Sequence, residues 1–131
     1  MMFMLKRILS IPVRWLPAIL IMAVIFFFSS RSSEELPNFD VFDYFIKKTG
    51  HVIGYGLLAF SYHYAFDRRD RKSFYVAWLI AILYAFTDEY HQSFVGGRHP
   101  SFWDVMIFDN LGASLMLYFI SRRHKNESVK T

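Results

Sequence analysis

Four long apolar segments, separated by short polar stretches, fill most of this 131-residue chain and constrain its fold more than any other feature. The first of them, Trp15–Phe28, contains no charged residue, and 54% of the whole chain is hydrophobic. A soluble domain of this length buries too small a core to hide four such segments from water. A bilayer accepts them, because a helix of about 20 apolar residues crosses its hydrocarbon core. The sequence therefore predicts an all-α integral membrane four-helix bundle, formed by a single domain of residues 1–131.

The distribution of basic residues predicts the orientation of this bundle. The four spans are expected at about residues 13–30, 44–66, 73–92 and 102–121, followed by a basic and disordered tail, 122–131. Of the 15 Lys and Arg residues, 11 fall in 1–14, 67–72 and 122–131, which all lie on one side in a four-span topology. Basic segments remain on the cytoplasmic side, so both termini are predicted to be cytoplasmic.

Two other classes, a secreted protein with a signal peptide and a nucleic-acid-binding protein, fit the sequence less well. The first apolar segment could be a cleaved signal peptide that ends near Ser30 and Ser32, but the rest of the chain is itself membrane-like, so a retained span is simpler. The net charge of +4 could indicate nucleic acid, but the basic residues stand in short clusters between apolar runs, which favours a membrane protein. The absence of cysteine excludes disulfides and thiolate metal sites.

The polar residues of the predicted spans gather at the outer end of the bundle. Lys48, His51 and Tyr55 are spaced to share one face of the second span, and Asp88, His91 and Gln92 share one face of the third. Ionisable side chains inside a membrane are costly and mark functional sites. The candidate acid–base and orienting groups are His51, His91, Asp88 and Glu89, and the candidate substrate-binding residues are Lys48, Tyr55, Gln92, Arg98 and Asp104.

Each candidate has a simpler interpretation beside the functional one. Lys47 is expected to reach only for the membrane interface, and the acids and histidines could form a structural network with Arg98. A metal site built from Glu89, His91, His51 and Asp104 is a further alternative. Its spacing is poor, and the H-E-x-x-H pattern is absent. No cofactor is indicated by the residues themselves.

These motifs resemble those of the VanZ-like family of small membrane proteins. The resemblance covers about Phe26–Leu117. It rests on Phe28-Ser29-Ser30, on Lys48-x-x-His51-x-x-x-Tyr55-Gly56-Leu57-Leu58, on Asp88-Glu89-x-His91-Gln92-x-Phe94-x-x-Gly97-Arg98-x-x-Ser101-x-x-Asp104-Val105, and on Gly112-Ala113. Gly96 stands where the family often has Pro. The interval after Asp104 is about one residue longer than the family pattern, so Asp109 and Asn110 are both candidates for the next polar position.

The resemblance implies a protein of the bacterial cytoplasmic membrane with a link to glycopeptide (teicoplanin) resistance. The first hypothesis is an outward-facing polar pocket that binds, and could act on, an anionic envelope molecule such as a lipid-linked cell-wall precursor. In it, Lys48 and Arg98 bind the anion, and His51 or His91 is the acid–base group oriented by Asp88 or Glu89. The alternatives are a non-catalytic protein that alters the access of an antibiotic or a partner to surface precursors, and a metal-dependent membrane hydrolase. The expected partners are the lipid bilayer and a lipid-linked precursor or a glycopeptide antibiotic, but no nucleic acid.

Overall fold

The computed structural model describes residues 2–67 and 70–128, with side chains from Pro12 onward, and this part of the chain forms four helices and no strand. Helix α1 is Met2–Ser29, α2 is Asp43–Phe66 and α3 is Arg71–Gln92. Helix α4 consists of three consecutive segments: Phe102–Asp104, a π-helical turn at Val105–Asp109, and Asn110–Ser128. A short 3₁₀ turn, Asp40–Phe42, precedes α2. The all-α expectation is therefore confirmed.

Two helices extend beyond the membrane spans that the sequence predicts. Helix α1 begins at Met2, before the predicted span at 13–30, so Pro12 and Pro17 both lie inside the helix. Helix α4 continues to Ser128, so the expected disorder of the tail is wrong for residues 122–128, while 129–131 lie outside the described residues. The linker between α2 and α3 is short, because Asp67 adopts a left-handed conformation that ends α2 and the Asp70 side chain accepts a hydrogen bond from Ser73 N that caps α3.

Small residues let the helices approach closely. The buried core is rich in alanine: Ala18, Ala59, Ala77, Ala81, Ala85 and Ala113. The tightest contact joins α2 to α4, where a Cβ atom added at Gly112 would lie 2.0 Å from the Val52 carbonyl oxygen. On α2, a Cβ at Gly56 would lie 3.1 Å from the Gly112 carbonyl oxygen. Such close backbone approach is typical of helix pairs in membranes.

The exterior of the bundle is apolar. Large hydrophobic side chains are exposed on every helix, among them Leu16, Ile19 and Phe27 on α1, Ile53 on α2, Leu83 on α3, and Ile107 and Phe119 on α4. By length and hydropathy alone, two helical segments could cross a membrane, Pro12–Ser29 and Phe102–Glu127. Only 11% and 28% of these segments are buried, so neither is the enclosed core helix of a soluble protein.

Helices α2 and α3 fall short of the same criterion because they carry polar side chains that face the bundle. Tyr55, Tyr62 and His63 of α2 and Asp88 and Glu89 of α3 are buried, so their polarity lowers the mean hydropathy of helices whose outer faces are apolar. Two helices therefore contain a segment apolar enough to cross a membrane by length and hydropathy, and the other two carry buried polar groups.

The α2–α4 contact predicts a selective sensitivity to one methyl group. Gly112→Ala places Cβ against the Val52 carbonyl, so the helices must separate, and we expect a loss of about 1–3 kcal/mol in the free energy of unfolding. Gly50→Ala is the matched control, because nothing lies within 4 Å of a Cβ at that position of α2. Chemical unfolding in detergent micelles measures both. Equal stability of the two variants would contradict the close approach.

Candidate functional site

Two polar pairs, each between a basic residue of α2 and an aspartate of α4, cross the helix interface at the end of the bundle where α2 begins. Lys48 forms an ion pair with Asp104. Its ammonium nitrogen also lies 5.4 Å from the centroid of the Tyr44 ring and 5.2 Å from that of the Phe108 ring. One turn further along α2, His51 Nδ1 lies 2.9 Å from Asp109 Oδ1. The expected one-face spacing of Lys48 and His51 is what allows both to meet α4.

Asp88 is the centre of a second set of hydrogen bonds. Its Oδ2 atom accepts from Ser29 Oγ at 2.7 Å, from Gln92 Nε2 at 2.9 Å and from Tyr55 OH at 3.3 Å. The carboxyl group is 4% exposed, and its Oδ1 has no hydrogen-bond partner among the described residues. These bonds connect α1, α2 and α3 at one buried point, so α1 supplies a residue to the site and is part of the bundle.

Glu89 points to a different neighbour from Asp88. Its Oε2 accepts the backbone N–H of Ser101 at 2.7 Å, at the start of α4, where the positive end of the helix dipole favours a carboxylate. Ligating atoms of Glu89, His51 and Asp109 all lie within 4.8 Å of one another. We call the eight converging residues the polar cluster: Lys48, His51, Tyr55, Asp88, Glu89, Gln92, Asp104 and Asp109.

From the sequence, both Asp109 and Asn110 are candidates for the polar position after Asp104, and the structure assigns Asp109 to the polar cluster. The π-helical turn Val105–Asp109 lies in this interval, and π-turns occur often at functional sites. It places Asp109 inside the bundle, 1% exposed, against His51. Asn110 instead accepts a hydrogen bond from Trp78 Nε1 at 2.8 Å on α3. The one-residue surplus after Asp104 was the signal that could have identified the turn.

His91 lies outside the polar cluster. Its Nε2 is 3.0 Å from Ser30 Oγ, and its ring stacks on Phe26 of α1 with the centroids 4.5 Å apart. It shares the α1-facing side of α3 with Asp88 and Gln92, as its spacing predicts, but it does not contact His51 or Asp109. His51 is therefore the histidine that the structure brings to the carboxyl groups.

Arg98 fastens the loop after α3 to the end of α1. Its Nε donates to the Arg31 carbonyl at 3.0 Å and its Nη2 to the Phe28 carbonyl at 2.6 Å, and these carbonyls belong to the last turn of α1 and the chain just after it. Gly97 has φ +70°, and its carbonyl accepts from Ser33 Oγ. The Arg98 guanidinium, for which the sequence predicts anion binding, thus donates to backbone carbonyls.

A cavity of about 510 Å³ opens between α1, α2, the 30–39 loop and the end of α3. Its walls are apolar, with Val24, Ile25, Phe28, Ile46 and Ile53 among the lining residues. Its polar lining comes from Ser29, Lys47, His51, Tyr55, Asp88, Gln92 and Arg98. A larger groove of about 1050 Å³ lies at the opposite end, between Trp78 on α3 and Tyr118 on α4. No residue of the polar cluster lines that groove, so we place the candidate site in the smaller cavity.

Apolar outer helices around a buried group of acids, a histidine and a lysine are features of a small helical membrane protein. The VanZ/LLP1 family model matches residues 14–123, which include α2, α3, most of α1 and α4, and the whole polar cluster. The chain belongs to this family, and the resemblance stated from its motifs is confirmed. No curated protein and no solved structure matches the chain significantly.

The Asp88 network predicts unequal roles for two adjacent serines. Ser29→Ala removes the buried donor at 2.7 Å and leaves the carboxyl group short of a partner, so we expect a loss of about 1.5–3 kcal/mol in the free energy of unfolding. Ser30→Ala is the matched control, because Ser30 is exposed, so the contacts of its hydroxyl with the Phe26 carbonyl and with His91 Nε2 are open to solvent. Unfolding in detergent micelles measures both, and an effect of Ser30→Ala as large as that of Ser29→Ala would contradict the network.

Proposed function

We propose that the chain spans the bacterial cytoplasmic membrane four times, with both termini in the cytoplasm and the polar cluster at the outer mouth of the bundle. The excess of basic residues at one end supports this orientation. The apolar exterior of all four helices supports insertion of α2 and α3 together with α1 and α4. The polar cluster joins the end of α1, the start of α2, the end of α3 and the start of α4, which a four-span topology places on one side.

Cysteine labelling tests the orientation directly, since the natural chain has no cysteine. We expect Asn38→Cys, in the loop before α2, to react with a membrane-impermeant maleimide added to intact cells. Asn126→Cys, near the end of α4, is the matched control and should react only after the cells are opened. Both side chains are exposed, so burial cannot explain a difference. Labelling of Asn126→Cys alone in intact cells would reverse the topology.

The function that the geometry supports best is the binding of an anionic, lipid-like envelope molecule in the cavity beside α1. The single observation that carries this proposal is the composition of the cavity, whose apolar walls suit a hydrocarbon chain and whose polar lining suits a head group. A lipid-linked cell-wall precursor combines these two parts. The family's link to glycopeptide (teicoplanin) resistance belongs to this proposal, because an envelope precursor is the molecule that such antibiotics encounter at the membrane.

The contacts of the basic residues select those that would meet the anion. Lys48 is held by Asp104, and both side chains are largely shielded from solvent. Lys47 lines the cavity, and its partner Asp43 lies at 2.7 Å in a half-exposed pair. Exposed pairs of this type contribute little free energy and exchange partners readily. We therefore assign the anion to Lys47 at the cavity and Lys48 to the support of α4. Arg98 adds positive charge to the cavity lining, although its Nε and Nη2 donors are directed at backbone carbonyls.

The acid–base candidate of the proposal is His51. A carboxyl group on one ring nitrogen orients an imidazole and leaves the other nitrogen for proton transfer, and here Asp109 is that carboxyl group. His51 also lines the cavity. Ser30 Oγ lies 3.0 Å from His91 Nε2, but this hydroxyl donates to the Phe26 carbonyl and neither residue lines the cavity. The proposal therefore stops at binding with an available proton-transfer group.

A non-catalytic role is favoured by a different observation. Hydrogen bonds join the end of α1 to the end of α3 and the loop after it, and they involve Arg98, Ser29 and Gln92. A rigid outer surface of this kind could alter the access of an antibiotic or partner to surface precursors without holding a ligand in the cavity. This alternative predicts no retained envelope molecule and no effect of Lys47 on ligand binding.

Lipid binding by the purified protein separates the two functions. We expect native mass spectrometry to show retention of a polyprenyl phosphate in preference to phosphatidylcholine, with phosphatidylglycerol as the comparison for a common anionic lipid. Lys47→Gln should weaken binding of the polyprenyl phosphate about fivefold, as for the loss of ~1 kcal/mol from one basic residue near an anionic head group. Lys72→Gln, at the other end of the bundle, is the matched control. Equal binding of phosphatidylcholine, or equal effects of the two substitutions, would overturn the cavity proposal.

A further inference from the structure

We propose that His51, Glu89 and Asp109 bind a divalent metal ion at the centre of the polar cluster. Each residue comes from a different helix, His51 from α2, Glu89 from α3 and Asp109 from α4. Each offers one ligating atom, and the three atoms all lie within 4.8 Å of one another. Atoms bound to a zinc ion stand about 2.0–2.2 Å from it, so small side-chain adjustments close this triangle around one ion.

Asp109 supplies an independent reason to place an ion here. The residue is 1% exposed, and its Oδ1 meets His51 Nδ1 at 2.9 Å. Its other oxygen, Oδ2, is buried and has no hydrogen-bond partner among the described residues. A buried carboxyl oxygen without a partner is costly, and such atoms in folded proteins usually have a proton donor or an ion beside them. A metal ion bound to Oδ2 removes that cost.

The excess of carboxyl groups over basic residues in the polar cluster also favours a bound cation. It contains four carboxyl groups, those of Asp88, Glu89, Asp104 and Asp109, and the basic partners that contact them are Lys48 on Asp104 and His51 on Asp109. Asp88 and Glu89 receive neutral donors, from side chains and from the Ser101 backbone respectively. Buried carboxylates need paired or coordinated charge, and one divalent ion offsets the excess.

The donor set selects the class of metal. One imidazole and two carboxylates suit Zn²⁺ or Mn²⁺, whereas Mg²⁺ and Ca²⁺ favour oxygen donors alone. His51 Nδ1 is the ring nitrogen that faces Asp109, so an ion bound by both residues takes the place of this 2.9 Å contact and leaves Nε2 unligated. Three protein ligands leave a coordination position open, and His51 also lines the cavity.

This set differs from the ligands considered from the sequence. His91 is taken up by Ser30 and Phe26, and Asp104 by Lys48. Asp109 replaces them, because the π-helical turn brings it to His51. The competing explanation is a metal-free network in which protons shared among the carboxyl groups remove the excess charge. The two explanations differ in one measurable quantity, the number of metal ions bound per chain.

Metal binding to the full chain in detergent, with no envelope lipid added, tests the inference independently of the cavity proposal. The protein is stripped with a chelator and dialysed against Zn²⁺ or Mn²⁺, and bound metal is measured by mass spectrometry. We expect about one ion per chain. Titration with Co²⁺ should in addition produce visible absorption bands that report ligation by nitrogen and oxygen.

Three near-isosteric or truncating changes should weaken this binding at least about a hundredfold, the upper end of the effect of losing a residue that only supports a ligand. They are His51→Ala, Glu89→Gln and Asp109→Asn. His91→Ala is the matched control, an imidazole at the same end of the bundle that contacts none of the three ligands, and it should bind normally. Helix content by circular dichroism identifies any variant that fails to fold.

Two results would overturn the inference. Wild-type protein that binds neither Zn²⁺ nor Mn²⁺ above the level of an unrelated membrane protein has no such site, whatever the variants do. Binding that persists at full strength in folded Glu89→Gln and Asp109→Asn places the ion elsewhere. Lipid retention remains a separate measurement, so a metal-free protein that still binds a polyprenyl phosphate would reject the metal site and keep the cavity.

Discussion

The close contact between α2 and α4 is the constraint on which the rest of the structure depends. The backbone of α4 at Gly112 lies so near the Val52 carbonyl that no side chain fits between them. The same interface carries, toward the start of both helices, the Lys48–Asp104 and His51–Asp109 pairs. The close helix separation at Gly112 is compatible with the short side-chain contacts of both pairs. Because residue 112 has no side chain, helix packing and the polar pairs favour the same short separation between α2 and α4.

The polar cluster could form only where several helices meet. A buried carboxyl group is stable when its oxygens have donors or charged partners. Asp88 obtains donors from α1, α2 and its own helix, and Glu89 obtains one from the start of α4. Adjacent residues of α3 are about 100° apart on the helix, so they serve different neighbours. Two successive acids in the sequence thus belong to two different parts of the site, one facing the cavity and one facing Asp109.

Regular helical spacing explains which parts of the site could be predicted from the sequence. Lys48, His51 and Tyr55 share a face as predicted, and Gln92, one turn after Asp88, donates to it. The helix ends were less accessible, because the apolar pattern of α1 and the basic end of α4 do not reveal that both continue beyond the hydrophobic stretch. The roles of His91 and Arg98 were also out of reach, since their partners are a side chain and carbonyls at the end of α1, and contacts between distant helices leave no periodic signal.

The π-helical turn shows how one additional residue changes the chemistry of a helix. In a regular α-helix, each residue rotates the following side chains by about 100°. An extra residue in one turn therefore decides whether an acid or its neighbour faces inward. In this chain it directs Asp109 to His51 and leaves Asn110 to bond Trp78 on α3. At this turn, α4 therefore presents a carboxylate to α2 and an amide to α3. That carboxylate orients the imidazole beside the cavity, and its second oxygen is buried without a hydrogen-bond partner among the described residues.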